Sequence, residues 1–83
     1  MIKLLYFASL RERLGVETEA LELPPNVASV AALRDHLAAR GGTWEALRTM
    51  RNLRAAVNRT MSGFDAVLQD GDEVAFFPPV TGG

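Results

Sequence analysis

Cysteine is absent from this chain of 83 residues. That excludes disulfide frameworks, thiolate zinc sites and thiol nucleophiles. Histidine occurs once, at His36, where it is expected on the exposed side of a helix with no catalytic part. An excess of one charge is also lacking: nine Lys and Arg stand against ten Asp and Glu, for a formal net charge of −1. That balance points away from nucleic acid and polyanions as partners. The basic cluster Arg48, Arg51, Arg54 and Arg59 is interleaved with Leu, Met and Ala; it reads first as a solvated face and second as a docking patch for an acidic partner. No apolar run approaches the roughly 20 residues of a membrane-spanning helix, so no membrane association is expected. In the opening stretch Met1 to Leu10, Arg11-Glu12-Arg13 arrives too early for a signal peptide, and no small-residue cleavage site follows. A cytoplasmic protein is expected. Gly41-Gly42 lacks the strand-loop-helix glycine spacing of a nucleotide site. Asp72 and Glu73 alternate faces along a strand and cannot form a carboxylate dyad. No metal site is expected.

What remains is enough for one small domain. Hydrophobic residues make up 48% of the chain, which is the composition of a folded core rather than a disordered segment. Alternation predicts a first strand over Ile2 to Ala8, with Ile2, Leu4, Tyr6 and Ala8 on one face and Lys3, Leu5, Phe7 and Ser9 on the other. Gly15 closes a polar connection to a second strand, Glu17 to Leu23. Ser29 is the expected N-cap of a helix from Val30 to Arg40, ended by Gly41-Gly42. Val30, Leu33 and Leu37 form its apolar stripe. A short second helix from Thr43 to about Met50 turns Trp44 and Leu47 inward. Leu53 to Asn58 reads as a third strand, Phe64 to Leu68 as a short fourth piece, and Glu73 to Phe77 as the closing strand after an Asp70-Gly71 turn.

This order predicts an α+β fold of the β-grasp, ubiquitin-like kind: a mixed sheet of four to five strands, one main helix and a short second helix. First and last strands should lie side by side. With Leu4, Tyr6, Val74 and Phe76 under the helix, alternation sends Leu5, Phe7, Ala75 and Phe77 to the uncovered face, an apolar patch of the kind that marks a partner surface. Residues 1–77 are expected to be the domain and 78–83 a flexible tail.

That tail reads Pro78-Pro79-Val80-Thr81-Gly82-Gly83. The prolines cannot extend a ladder, so pairing ends before them. Six extended residues span roughly 20 Å, enough to thread a terminus into another protein's active site. Glycine at both final positions removes every Cβ near the carboxylate. The expected function is a C-terminus activated and modified by a partner. A frayed end on a passive interaction module is the alternative from another class.

The runs Met1-Ile2-Lys3, Phe7-Ala8, Arg11-Glu12, Ala55-Ala56-Val57-Asn58 and above all Asp70 through Gly83 resemble the small subunit of molybdopterin synthase, the family also called molybdopterin-converting factor subunit 1. The resemblance covers essentially the whole chain. It implies a sulfur carrier of molybdenum cofactor biosynthesis. The C-terminal Gly83 would be adenylated with ATP by a separate ubiquitin-activating-like enzyme, then thiocarboxylated with sulfur from a sulfurtransferase. It would donate that sulfur to cyclic pyranopterin monophosphate held by the large synthase subunit, in a heterotetrameric synthase. The carrier itself would bind no cofactor and supply no catalysis. Pro78, Pro79, Val80, Thr81 and Gly82 would enter the partner's active site, and Phe7, Met61 and Phe77 would contact the large subunit. Other carriers of the same logic, serving thiamine, cysteine or tungsten cofactor synthesis, or a protein modifier, remain open.

Overall fold

The computed structural model describes residues 1–79. Five strands form one mixed sheet in the order β2-β1-β5-β3-β4: β1 Ile2–Tyr6, β2 Thr18–Leu21, β3 Arg54–Val57, β4 Thr60–Ser62 and β5 Glu73–Phe77. The first and last strands are parallel neighbours, with Leu4 opposite Val74 and Tyr6 opposite Phe76. β1 and β2 pair antiparallel, as do β3 with both β5 and β4.

One sheet face is covered by the helix α2, Val30–Ala38, whose first turn is capped by Ser29 Oγ accepting the Ala32 N–H at 3.1 Å. The stripe Val30, Leu33 and Leu37 is fully buried against Leu4, Tyr6, Val74 and Phe76. These apolar faces must be matched to leave water, and their meeting is the dominant favourable term in the fold. A 3-10 turn, Gly42–Glu45, and the short helix α3, Ala46–Thr49, seat Trp44 and Leu47 on the same core.

Four sequence expectations need correction. The first strand ends at Tyr6, and Ala8 does not continue its face: Ala8 takes φ 55° and opens a helix, α1, over Ala8–Leu14. Leu10 and Leu14, four apart, fill the core from that helix, and Gly15 caps it at φ 72° with its N–H on the Arg11 carbonyl. The fourth strand is Thr60–Ser62, created by a two-residue turn at Asn58-Arg59. Phe64 to Leu68, read as a strand piece, is instead a looping segment. It is tied to the start of α2 by an isolated bridge of Val67 to Ser29 and by the Val30 and Ala31 N–H groups donating to the Ala66 and Phe64 carbonyls, and it packs Phe64 on Phe76 of β5. α2 also stops at Ala38, short of Arg40.

At the opposite end of the core, Tyr6 donates its hydroxyl hydrogen to Glu19 Oε1 at 2.9 Å. Arg40 grips both oxygens of the same carboxylate, at 2.8 and 3.1 Å, while lying 4.4 Å over the Trp44 ring. This network ties β1, β2, the end of the main helix and the 3-10 turn together.

Candidate functional site

The sheet face that α2 leaves bare is decided by register. Ala56 stands directly opposite both Ala75 and Met61, and Arg54 opposite Phe77. Side chains at paired positions share a face, so this outer face runs from Leu5 across Ala75 and Ala56 to Met61. The small Ala56 and Ala75 form a floor; Phe7, Met61 and Phe77 stand as walls. The result is an apolar groove of about 500 Å³, with Lys3, Arg59 and Glu73 at its rim.

Phe7 is 44% exposed and Met61 57%, among the large apolar side chains most open to water in the chain. Exposed apolar surface of this size on a small protein marks a contact surface. Phe7 is held in place by backbone. Its N–H donates to the Phe76 carbonyl at 3.2 Å, and its own carbonyl accepts from Arg11, so it is at once the end of β1 pairing and the N-cap of α1. Its ring meets that of Phe77 edge to face, with centroids 6.5 Å apart and planes at 80°, a favoured aromatic geometry.

The three partner-contacting residues expected from the sequence, Phe7, Met61 and Phe77, therefore line one groove. Pro78 and Pro79 follow directly from β5 and are half-buried beside it. Val80, Thr81, Gly82 and Gly83 lie outside the described residues. Alternation already puts Lys3 on this face with Leu5 and Phe7; sequence reading missed Ala56, Arg54, Arg59 and Glu73 as its members. The Val57-Asn58-Arg59-Thr60 turn was the signal: once it is recognised as a two-residue hairpin, Met61 must fall opposite Ala56.

The groove offers recognition chemistry: apolar walls and a charged rim. Among the described residues, no group of three or more His, Cys, Asp and Glu side chains is placed to hold a metal ion, and no helix is long and apolar enough to cross a membrane. The groups with shifted titration lie apart from the groove, on the helix-covered side of the sheet and at the Asp70 turn. Arg40, with help from Tyr6, holds Glu19 below the usual carboxylate range, and burial first, then the bond to Glu19, pushes the Tyr6 hydroxyl well above the usual tyrosine range. Asp70 is held low by its ion pair with the N-terminal ammonium.

Parallel first and last strands, one helix-covered face, and a bare apolar groove at the root of the C-terminal segment define a ubiquitin-like β-grasp protein. More narrowly, residues 4–83 match the ThiS family, and the chain belongs to it. It is 52% identical to the molybdopterin synthase sulfur carrier subunit of Escherichia coli strain K12, over 100% of both chains. Among solved structures, it is similar to a Pyrococcus furiosus protein described as molybdopterin converting factor, subunit 1 (TM-score 0.77, 33% identity, 95% of this chain and 97% of that one). The fold is shared with a Helicobacter pylori chain solved in a complex of subunits 1 and 2 of molybdopterin-converting factor (TM-score 0.65, 20% identity, 99% and 97% covered).

Proposed function

We propose that this protein is the sulfur carrier subunit of a molybdopterin synthase, docking on the large subunit through the Phe7–Met61–Phe77 groove and presenting Gly83 to its active site. The observation that carries the reading is the position of that groove at the end of β5, where the chain leaves the sheet toward Gly-Gly. The full-length identity of 52% to a sulfur carrier subunit supports it.

The chemistry is that of an activated acid. A C-terminal carboxylate, with an ordinary pKa near 3.5, is charged at neutral pH and resists nucleophiles. Attack of its oxygen on the α-phosphorus of ATP forms an acyl adenylate and releases pyrophosphate. ATP belongs to the separate activating enzyme. A persulfide on the sulfurtransferase then displaces AMP to form an acyl disulfide, and a thiol cleaves it, leaving a thiocarboxylate on Gly83 and a disulfide between the two thiols. That soft nucleophile attacks cyclic pyranopterin monophosphate on the large subunit, displacing an oxygen leaving group and forming a thioester. Water then cleaves the acyl–sulfur bond, so the sulfur stays on the pterin and Gly83 returns as a carboxylate. Pro78 to Gly82 serve as the spacer that carries the reactive atom away from the docking face. The protein works in the cytoplasm and contributes position and sulfur rather than acid–base groups.

The test is intact-mass measurement of the protein recovered from cells with and without the cognate activating enzyme. The expected result is a mass gain equal to one oxygen-to-sulfur exchange, seen only with the enzyme present. A ladder of conjugates to other proteins, or an unchanged mass in both strains, overturns the reading.

A further inference from the structure

The basic residues that cluster in the sequence separate in space. Arg48 turns toward α2 and pairs with Asp35 at 3.4 Å. Arg59 lines the groove, and Arg54 lies on the same sheet face. Arg54 shares the face of Phe77 by register, and Arg59 sits on the rim with Lys3. Glu73 is the one carboxylate among the lining residues, and it is already engaged: Arg59 Nε lies 3.6 Å from its Oε2. Among the described residues, neither Lys3 nor Arg54 has a carboxylate within ion-pair distance.

Arg59 carries a second signal. It occupies the second central position of the β3–β4 turn at φ 69°, beside Asn58 at φ 51°. Such a turn needs left-handed backbone at both positions, and its second is ordinarily glycine. An arginine held there against conformational preference, with its side chain 88% exposed, gains nothing from packing. What it adds is a cation at the edge of the apolar groove.

The whole chain is slightly acidic, at −1, yet this face carries an excess of cations. The molecule is therefore polarised, with its positive end on the docking surface. Resting on the docking reading above, we infer that the surface received by this groove is ringed with carboxylates opposite Lys3, Arg54 and Arg59, and that these charges steer assembly with the synthase large subunit. Exposed rim charges change association rate and partner choice far more than they change affinity. The apolar centre holds the complex; the rim decides how fast, and with which acidic surface, it forms.

The experiment is stopped-flow association of the full chain with its cognate large subunit, at low salt and at about 1 M salt, where screening shortens to about 3 Å. The wild-type association rate should fall on the order of tenfold or more across that range. Lys3→Glu/Arg54→Glu, checked by thermal unfolding to be folded, should associate at least about tenfold more slowly at low salt and lose or invert the salt dependence. Dissociation rates should change little. A wild-type rate indifferent to salt, or a charge-reversed variant that associates as fast as wild type, overturns the inference while leaving the docking reading intact. Absence of any complex with the large subunit overturns both.

Discussion

The Tyr6 hydroxyl and the Glu19 carboxylate share one hydrogen bond of 2.9 Å, and each shifts the other's titration in a direction that stabilises the fold. Glu19 is held below 4.5 chiefly by Arg40. A carboxylate with a depressed folded pKa contributes stability that is fully present above its unfolded value and is lost as pH falls through the folded one. Tyr6 is the reverse case. Its raised folded pKa contributes stability present below about pH 10 and lost as pH rises beyond that. Denaturant unfolding across pH should therefore show losses on both flanks. Glu19→Gln should flatten the acid side, and Tyr6→Phe the alkaline one. Glu19→Ala, which strands the Tyr6 hydroxyl and Arg40, should cost about 2 kcal/mol at neutral pH. An acid limb unchanged in Glu19→Gln would remove this network from the pH response.

Leu33 is fully buried at the centre of the α2 stripe. Leu33→Ala should destabilise the protein by about 2–5 kcal/mol, since a core this small has little room to collapse around the cavity. Chemical denaturation reads the change directly, and a loss under about half a kcal/mol would contradict the burial.

The Arg59 turn yields a trade of stability against recognition. Arg59→Gly should relieve left-handed strain of the order of 1 kcal/mol. Part of that returns as greater freedom of the unfolded chain, about half a kcal/mol. The expected net is a gain of about 0.5 kcal/mol in unfolding free energy together with slower association with the large subunit. A variant that is less stable than wild type would show that the turn is not strained by its arginine.

The same turn shows where sequence reading reached its limit. The α2 stripe and its Ser29 cap were legible because a nine-residue helix repeats its period, and the parallel β1–β5 core because both strands alternate cleanly. α1 was hidden because the alternation of Ile2 to Tyr6 runs on without a break into Ala8, and no side chain caps the helix that begins there. Leu10 and Leu14 followed by Gly15 held the clue, but seven residues give a weak period. β4 was displaced for a different reason. Three residues have almost no pattern of their own, and only the Asn58-Arg59 turn specifies their register. Of the site, the aromatic walls and Lys3 were visible as alternation, whereas Ala56, Met61 and Arg54 join them only through pairing between strands.

Phe77 closes the groove at the point where the chain departs, in edge-to-face contact with Phe7. Phe77→Ala should weaken the complex with the large subunit by about 2 kcal/mol or more, because aromatic anchors dominate interfaces of this kind. The fold should remain cooperative, since Phe76, not Phe77, is the fully buried neighbour. Calorimetric titration with unaltered affinity would take Phe77 out of the interface.

The last expectation concerns the length of the C-terminal segment. Deleting Gly83 leaves a carboxylate on Gly82 that is chemically almost the same but withdrawn by roughly 3.5 Å. Misplacing a reacting atom by even 1 Å can cost on the order of a hundredfold in rate. The truncated protein should keep its stability and its affinity for the large subunit, because the groove and core end at Phe77 and lie outside the change. It should nevertheless support neither ATP–pyrophosphate exchange on the activating enzyme nor, when thiocarboxylated chemically, product formation on the synthase. Addition of one residue after Gly83 should fail in the same two assays, since the carboxylate would overshoot the position at which it is activated. Binding retained with both reactions lost is the pattern that assigns the working group to the Gly83 carboxylate. Wild-type rates for the shortened chain would show instead that the terminus is not positioned by its length, and that the reactive group must be sought elsewhere.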